Sequence, residues 1–401
     1  MPESTTQNAT PAEFGVNVIG FTTASMGLGV AARATIANLL AAEVPVAIAE
    51  LSLPDGRSGA DNTYAHLQIT DANRQRLPHP LTLVVVNPNE AAAVWHQYAR
   101  WFAHTYNCIM PFWELPVIPD EWIPHLADYD AVLAASDHIA GAVRNVVSTA
   151  VRRFPLCANV TEFTELRRAD LSIPEDRFAV AATWDTHSGL RRKNSLGVLR
   201  AFAAALDLGS DAVLVLKTNG ALPDPRFDRA IRALPPDRVI VISDYLPYSD
   251  VLGIYAACDA FISVHRAEGL GLGLQEAMLL GKPVIATGWS GNMDFMDESC
   301  ALLVSFTLTP VIDAQPAYTA PHLIQPQLWA EPDILDAARC IHRLSRDAPL
   351  RERLGLRGRE RMLAHRDRWQ RDGPLVLAQL YQAHLRDPAS SPHARAGDEQ
   401  L

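Results

Sequence analysis

From Gly15 onward the chain alternates short apolar runs with stretches whose apolar positions recur every three or four residues. A short continuous apolar run between turn residues reads as a strand buried on both faces, and the longer periodic stretch as the helix that covers it. On this pattern 15–21, 44–49, 81–86, 106–111 and 131–134 are strands, with helices over 30–42 and 136–147. A second, more regular set of strands lies at 178–184, 212–216, 239–242, 260–264 and 284–287, each separated from the next by a helical pattern. Such alternation predicts parallel sheets, and hence an α/β protein of two doubly wound domains. The first domain is expected over 14–168 and the second over 169–373, joined through the polar segment 159–176. The polar stretch 52–80 reads as an insertion on the rim, and the polar ends 1–13 and 387–401 as disordered tails. Two such domains side by side place a cleft between the carboxyl edges of their sheets, where open α/β sheets bind ligands.

The length of 401 residues agrees with two domains. A net charge of −10 excludes a nucleic-acid binder that works through bulk charge. The first 178 residues hold 11 arginines, no lysine and 19 acidic residues, so an anionic lipid surface repels that half on average, and at most peripheral membrane contact is expected. The chain has no apolar run long enough for a transmembrane helix, and its first residues have no signal-peptide pattern. Five dispersed cysteines without a CxxC read as reduced thiols of a cytoplasmic protein. The 13 histidines have no ligand spacing, so no metal is expected. Of 35 basic residues only Lys193, Lys217 and Lys282 are lysine, and all three fall in the second half. A compact ammonium retained against so strong an arginine bias points to that half, and to Lys193 above all.

Four loops at strand ends could carry chemistry. Ser25-Met-Gly-Leu-Gly-Val30 joins the first strand to the first helix. Gly27 and Gly29 allow close backbone approach, and the helix N-terminus offers free N–H groups to phosphate or sugar. A tight strand–helix turn explains the same residues. The segment from Asp185 to Asn194 contains Ser188, Arg192 and Lys193 at the start of a helix, a charge set suited to a diphosphate. Lys217 ends the next strand and either points into the same cleft or caps it. The most specific run, His265-Arg-Ala-Glu-Gly-Leu-Gly-Leu-Gly-Leu-Gln-Glu276, places Glu268 and Gly269-Leu270-Gly271 in a loop and Glu276 one turn into the following helix. A carboxylate there can accept both hydroxyls of a ribose. The fourth loop, Gly288-Trp-Ser-Gly-Asn292, offers Ser290 and Asn292 to a hydroxyl or an anion.

The run from His265 to Phe295, with its spaced glutamates, its Gly-Lys-Pro-Val-Ile-Ala-Thr strand and its Ser-Gly-Asn loop, closely resembles the retaining glycosyltransferases of family 4. Ser188 to Asn194 and Trp329-Ala-Glu-Pro-Asp333 fit as well. The resemblance runs from Gly15 to about Leu385 and is more specific in the second domain. It implies the GT-B fold, glycosyl transferases group 1, with two Rossmann-like domains facing a central cleft. It implies a nucleoside-diphosphate sugar as co-substrate, no metal, and transfer to a glycan, lipid-linked or small-molecule acceptor. By the resemblance Arg192 and Lys193 hold the diphosphate, Glu268 binds the donor sugar at the reacting carbon, and Glu276 binds the ribose. The Gly27–Gly29 loop closes on the diphosphate, and the base lies near Asp244–Leu246, with Tyr245 and Leu246 expected to bind the donor. A last helix at about 374–386 crosses back onto the first domain. Where many relatives carry a histidine this chain has Asn87, which cannot transfer a proton. Trp113 and Glu114, in a Phe-Trp-Glu-Leu-Pro run, are expected on the acceptor side. A non-catalytic binding or assembly partner and a nucleotide-sugar epimerase are the alternatives to transfer.

Overall fold

The computed structural model describes residues 14–53, 61–70, 76–186, 188–220, 224–313, 315–319 and 327–387. The first sheet is built from β1 (Val16–Gly20), β2 (Val46–Glu50), β3 (Leu81–Val86), β4 (Tyr106–Pro111), β5 (Ala131–Ala134) and β6 (Ala150–Arg153). They pair in parallel in the order β2-β1-β3-β4-β5-β6. The second sheet is built from β7 (Phe178–Asp185), β8 (Ala212–Asn219), β9 (Val239–Ile242), β10 (Ala260–Ser263), β11 (Val284–Thr287) and β12 (Leu302–Val304). Its parallel order is β12-β11-β10-β7-β8-β9. The apolar runs are strands because every residue of β1, β3 and β4 is buried, which only a sheet covered on both faces can provide.

Strand order reverses between β1 and β3 in the first sheet, and between β7 and β10 in the second. Ligand crevices open at such reversals, beyond the carboxyl ends of the strands. The loops after β1, β3, β7 and β10 therefore form the walls of the cleft.

Four strands do not follow from the apolar pattern. The edge strand β6 reads Ala-Val-Arg-Arg and is only half-buried. At three residues, β12 is too short for a periodic signal. β13 (Phe306–Pro310) and β14 (Leu328–Pro332) form an antiparallel hairpin whose first strand is largely exposed. In the rim segment, Gln68 bridges Ile48 at the outer edge of β2. The stretches 54–60 and 71–75, within the expected insertion, lie outside the described residues, as do both expected tails apart from Asp387.

The last helix is not a separate piece starting near 374. It runs unbroken from Ala348 to Arg386, with Pro374 inside it. Proline removes one backbone N–H and crowds the preceding turn, which is why it reads as a helix boundary. Here packing on both sides of Pro374 outweighs that cost. Before it, the buried Trp369 meets Phe154 edge-on at 5.3 Å and Gln370 bonds Asn38. After it, Tyr381 meets Phe14 and His384 meets Tyr106. Earlier still, Gly355 lies against the backbone oxygen of Gly281, where an added Cβ would stand 2.1 Å away. The helix thus leaves the second half and lies along the first.

Trp369 is 1% exposed. Trp369→Ala is expected to cost about 3–5 kcal/mol in urea unfolding at equilibrium, since it empties a large buried site where the helix meets the first half. A loss under about 1 kcal/mol would contradict that packing role.

Candidate active site

A cavity of about 420 Å³ lies between the two halves. From the first half it is lined by Ser25, Met26, Gly27, Leu28, Arg33, Asn87 and Glu114, among others. The loop that brings Gly27 there is braced from below. Glu50, at the end of β2, accepts the backbone N–H groups of Thr22 and Thr23 at 3.1 and 3.0 Å, and both threonine hydroxyls as well. Arg33, on the helix Gly27–Ala41, donates to the carbonyls of Thr22 and Ala24 and pairs with Asp61 at 3.0 Å. The two glycines have different tasks. A Cβ at Gly29 would stand 2.2 Å from the oxygen of Ala24, so Gly29 permits the tight turn. A Cβ at Gly27 would meet nothing within 4 Å, so Gly27 leaves open space facing the cleft.

In the second half, Lys193 donates to Glu268 Oε1 at 2.6 Å. The buried Arg192 guanidinium is fully engaged by the protein. It donates to Tyr318 Oη at 3.0 Å and the Ala267 carbonyl at 2.9 Å, and it pairs with Glu114 at 3.2 Å and Glu268 at 3.4 Å. Arg192 therefore braces two carboxylates from opposite sides of the cleft, and Lys193 is the cation with side-chain surface to spare, at 25% exposure. Burial works against the Arg192 charge, but Glu114, Tyr318 and Glu268 more than offset it, and its pKa is raised. Burial likewise opposes ionisation of Glu268, yet Lys193 and Arg192 hold its carboxyl down to about 2.

The loop bearing Glu268 is clamped by backbone contact. Gly271 has φ +92°, which favours glycine. A Cβ at Gly291 would fall 2.0 Å from the Gly269 oxygen, and one at Gly269 would fall 2.7 Å from the Trp113 oxygen. Ser136 of the first half donates to that same Gly269 oxygen at 2.5 Å. Behind the loop, Glu268 N–H donates to Ser290 Oγ at 2.9 Å and Gly291 N–H to the Glu268 carbonyl at 2.9 Å. Asn292 donates to the Thr287 carbonyl, so its Oδ1 accepts, and His265 Nε2 at 3.0 Å carries the proton. Burial lowers the His265 pKa, which keeps that ring neutral.

Glu276 lies in the helix Leu272–Leu279, where Tyr248 donates to it at 2.8 Å. Burial pushes its pKa up to about 7, against the opposing effects of Tyr248, Arg33 and Lys193. Arg33 of the first half stands 5.7 Å over the Tyr248 ring. Lys217 is 2% exposed and donates to the Thr218 carbonyl and to Asn219 Oδ1, both at 2.8 Å. Burial lowers its pKa to about 8, with Asp185 and Asp244 opposing.

Of the residues expected from sequence, Gly27, Asn87, Glu114, Ser188, Arg192, Lys193, Lys217, Glu268, Gly269, Leu270, Gly271 and Glu276 line the cavity. Gly29, Trp113, Tyr245, Leu246, Ser290 and Asn292 are outside its lining. Ser290 and Asn292 sit behind the Glu268 loop, and Trp113 is a core ring whose Nε1 donates to the Val117 carbonyl. Tyr245 is half exposed beyond β9. Sequence reasoning missed Arg33, Tyr248 and Tyr318. A lone cation within the apolar run Val30–Ile36 was a signal for Arg33, whereas Tyr248 and Tyr318 had none. Among the described residues no group of three or more His, Cys, Asp or Glu side chains could hold a metal, and no helix is long and apolar enough to cross a membrane.

Residues 187–304 match the family model of Glycosyl transferases group 1. No curated protein matches the chain. Among solved structures, sucrose-phosphate synthase of Thermosynechococcus elongatus is similar at a TM-score of 0.64 and 18% identity, covering 93% of this chain and 99% of that one. A glycosyltransferase of Rickettsia africae follows at 0.61 and 13%, covering 92% and 99%. A UDP-forming α,α-trehalose-phosphate synthase of Burkholderia xenovorans is similar at 0.52 and 12%, covering 78% and 74%. The fold is thus GT-B, with two six-stranded parallel sheets. The chain carries a glycosyl transferases group 1 domain and is a transferase enzyme of the glycosyltransferase class.

Glu276 generates a pH prediction. Its folded pKa lies above the ordinary value of 4.5. The native state therefore binds the extra proton between about pH 4.5 and 7, and stability is lost as pH rises through that window. Glu276→Gln keeps an acceptor for Tyr248 and removes the titration. Its unfolding free energy relative to wild type should rise by a few kcal/mol, at most about 3, between pH 5 and pH 8. A difference independent of pH would show that Glu276 is not buried in this way.

Proposed function

We propose that this protein is a retaining glycosyltransferase of family 4 that moves a sugar from a nucleoside-diphosphate sugar to an acceptor hydroxyl without a metal. The observation that carries the reading is the pairing of Glu268, in the glycine loop, with Glu276, one turn into the helix that follows it, both at the cavity and with Lys193 2.6 Å from the first. Lys193, with the N–H groups at the start of the helices Gly27–Ala41 and Leu272–Leu279, receives the diphosphate. Glu276, ionised on binding, accepts the ribose hydroxyls. Glu268 sits at the donor sugar, and the base extends toward Lys217 and Asn219. Asn87 and Glu114 face the acceptor side.

In the transfer the bond between the anomeric carbon and the phosphate oxygen breaks, and its electron pair passes to the diphosphate. Lys193 and the helix N-termini stabilise that charge, which removes the need for a divalent cation. The leaving phosphate oxygen takes the acceptor's proton as the new glycosidic bond forms on the same face. Asn87 thus needs only to position a hydroxyl. Arg192 acts through Glu268 and Glu114, which it holds in place, and not on the diphosphate. Five free thiols support a cytoplasmic setting, where nucleotide sugars are available. The acceptor is a glycan, a lipid-linked sugar or a small molecule.

A panel of UDP-, GDP- and ADP-sugars with sugar acceptors tests this, with the product anomer read by NMR. The account expects an α-linked product from an α-linked donor. Lys193→Ala and Glu268→Gln should each lower kcat/KM by about 100-fold or more. Inversion of the anomer would refute retention, and activity unchanged in either variant would refute the site.

A further inference from the structure

A second cavity, of about 550 Å³, lies on the far side of the Glu268 loop. Its walls are Asp294, Phe295, Ser299 and Cys300 on one side, and Arg357, Glu360, Arg361, Ala364, His365 and Arg368 of the C-terminal helix on the other. None of these residues belongs to the cleft between the halves.

The helix that forms one wall is basic in an acidic protein. From Ala348 to Arg386 it holds nine arginines against four acidic residues, while the chain as a whole carries −10. At 100° per residue, Arg353, Arg357, Arg361, Arg368 and Arg371 fall within an arc of about 80° on one face. The carboxylates in the cavity wall are already engaged. Asp294 takes the N–H of Asp137 at 2.8 Å and pairs with Arg153 at 2.5 Å, and Glu360 pairs with Arg357 at 3.8 Å. Arg361 pairs with Asp297 through Nη1 alone, at 2.7 Å. Arg368 has no ion pair among the described residues. His365 adds a different group: its Nε2 is buried without a hydrogen-bond partner, while the ring bonds the Leu156 backbone. The wall therefore offers free guanidinium N–H groups beside one orphaned imidazole nitrogen.

We propose that this cavity is a binding site for a phosphoryl group, held by Arg357, Arg361 and Arg368, with His365 Nε2 accepting its O–H. The guanidinium fork matches phosphate oxygens two at a time. A monoprotonated phosphate supplies the donor that the imidazole lacks. The same chemistry arises from a free phosphorylated metabolite or from the headgroup of an anionic lipid. The site sits where Asp294 of the second half is tied to Arg153 and Asp137 of the first, and the 3-10 turn ending at Asp294 begins at Gly291, whose N–H holds the Glu268 carbonyl. A ligand there bears on the seam between the halves from outside the cleft.

The test uses the whole protein, inorganic phosphate as probe by calorimetry at constant ionic strength, and phosphatidylcholine vesicles with and without phosphatidic acid by sedimentation. Arg361→Gln/Arg368→Gln changes two exposed side chains, and Arg368→Gln alone serves if the pair is unstable. Lys193→Ala controls for anion binding in the cleft. Phosphate binding that persists in Lys193→Ala and weakens at least tenfold in the arginine variants supports a free phosphate ligand. Vesicle binding that needs phosphatidic acid and is lost in the arginine variants, with no response to free phosphate, supports the lipid source of the same group. Binding unchanged by the arginine variants, or no response to either probe, overturns the proposal.

Discussion

The structure turns on a buried carboxylate that must stay charged. Glu268 is 7% exposed, at a loop between two sheets, where an ionised group without partners would be too costly to keep. Lys193 and Arg192 supply the compensation, and the rest of the cleft follows from their placement. Arg192 can reach Glu268 only from within the packed wall, which commits its remaining donors to Tyr318, Ala267 and Glu114. Glu114 comes from the first half, so the charge that fixes the Glu268 loop also ties the two halves together. Glycines 269 and 291 are required because the loop lies against backbone on both sides.

The charge balance of the cleft bears on its chemistry. Lys193 is neutralised by Glu268 and Arg192 by two carboxylates, so the diphosphate of the proposed function would compete for charge already spoken for. On that proposal helix N-termini and loop N–H groups would carry correspondingly more of its binding. Glu276 stands at the opposite extreme from Glu268. Eight residues further on, the same side chain has no lysine or arginine in direct contact, Tyr248 reaches it by hydrogen bond with Arg33 and Lys193 acting from a distance, and burial pushes its pKa up to about 7. One acidic group is thus kept charged and the other titrates near pH 7.

Much of this was legible in the sequence because parallel strands buried on both faces write themselves as apolar runs. The runs at 81–86, 106–111, 131–134, 239–242 and 284–287 coincide with the strands residue for residue. β6 was not legible because an edge strand ending in two arginines has no such run, and the helix through Pro374 was not because packing, not propensity, carries it past the proline. In the site, the motif residues with a glycine context, Gly27 and Glu268 to Gly271, stand at the cavity. Ser290 and Asn292 share the motif but act one layer back, since a turn residue can serve either a ligand or its neighbouring loop and spacing does not separate the two. Arg192 and Lys193 are adjacent in sequence, and only the structure separates a buried brace from an available cation.

The central claim is that the cleft is a nucleotide site whose available cation is Lys193. Titration calorimetry of UDP, GDP and ADP against wild type and Lys193→Ala tests it most directly. The account predicts that at least one of the three nucleotides binds wild type and that Lys193→Ala weakens it by about tenfold or more, the loss of one charge-assisted contact. Failure of all three to bind, or equal affinity in the variant, would contradict it.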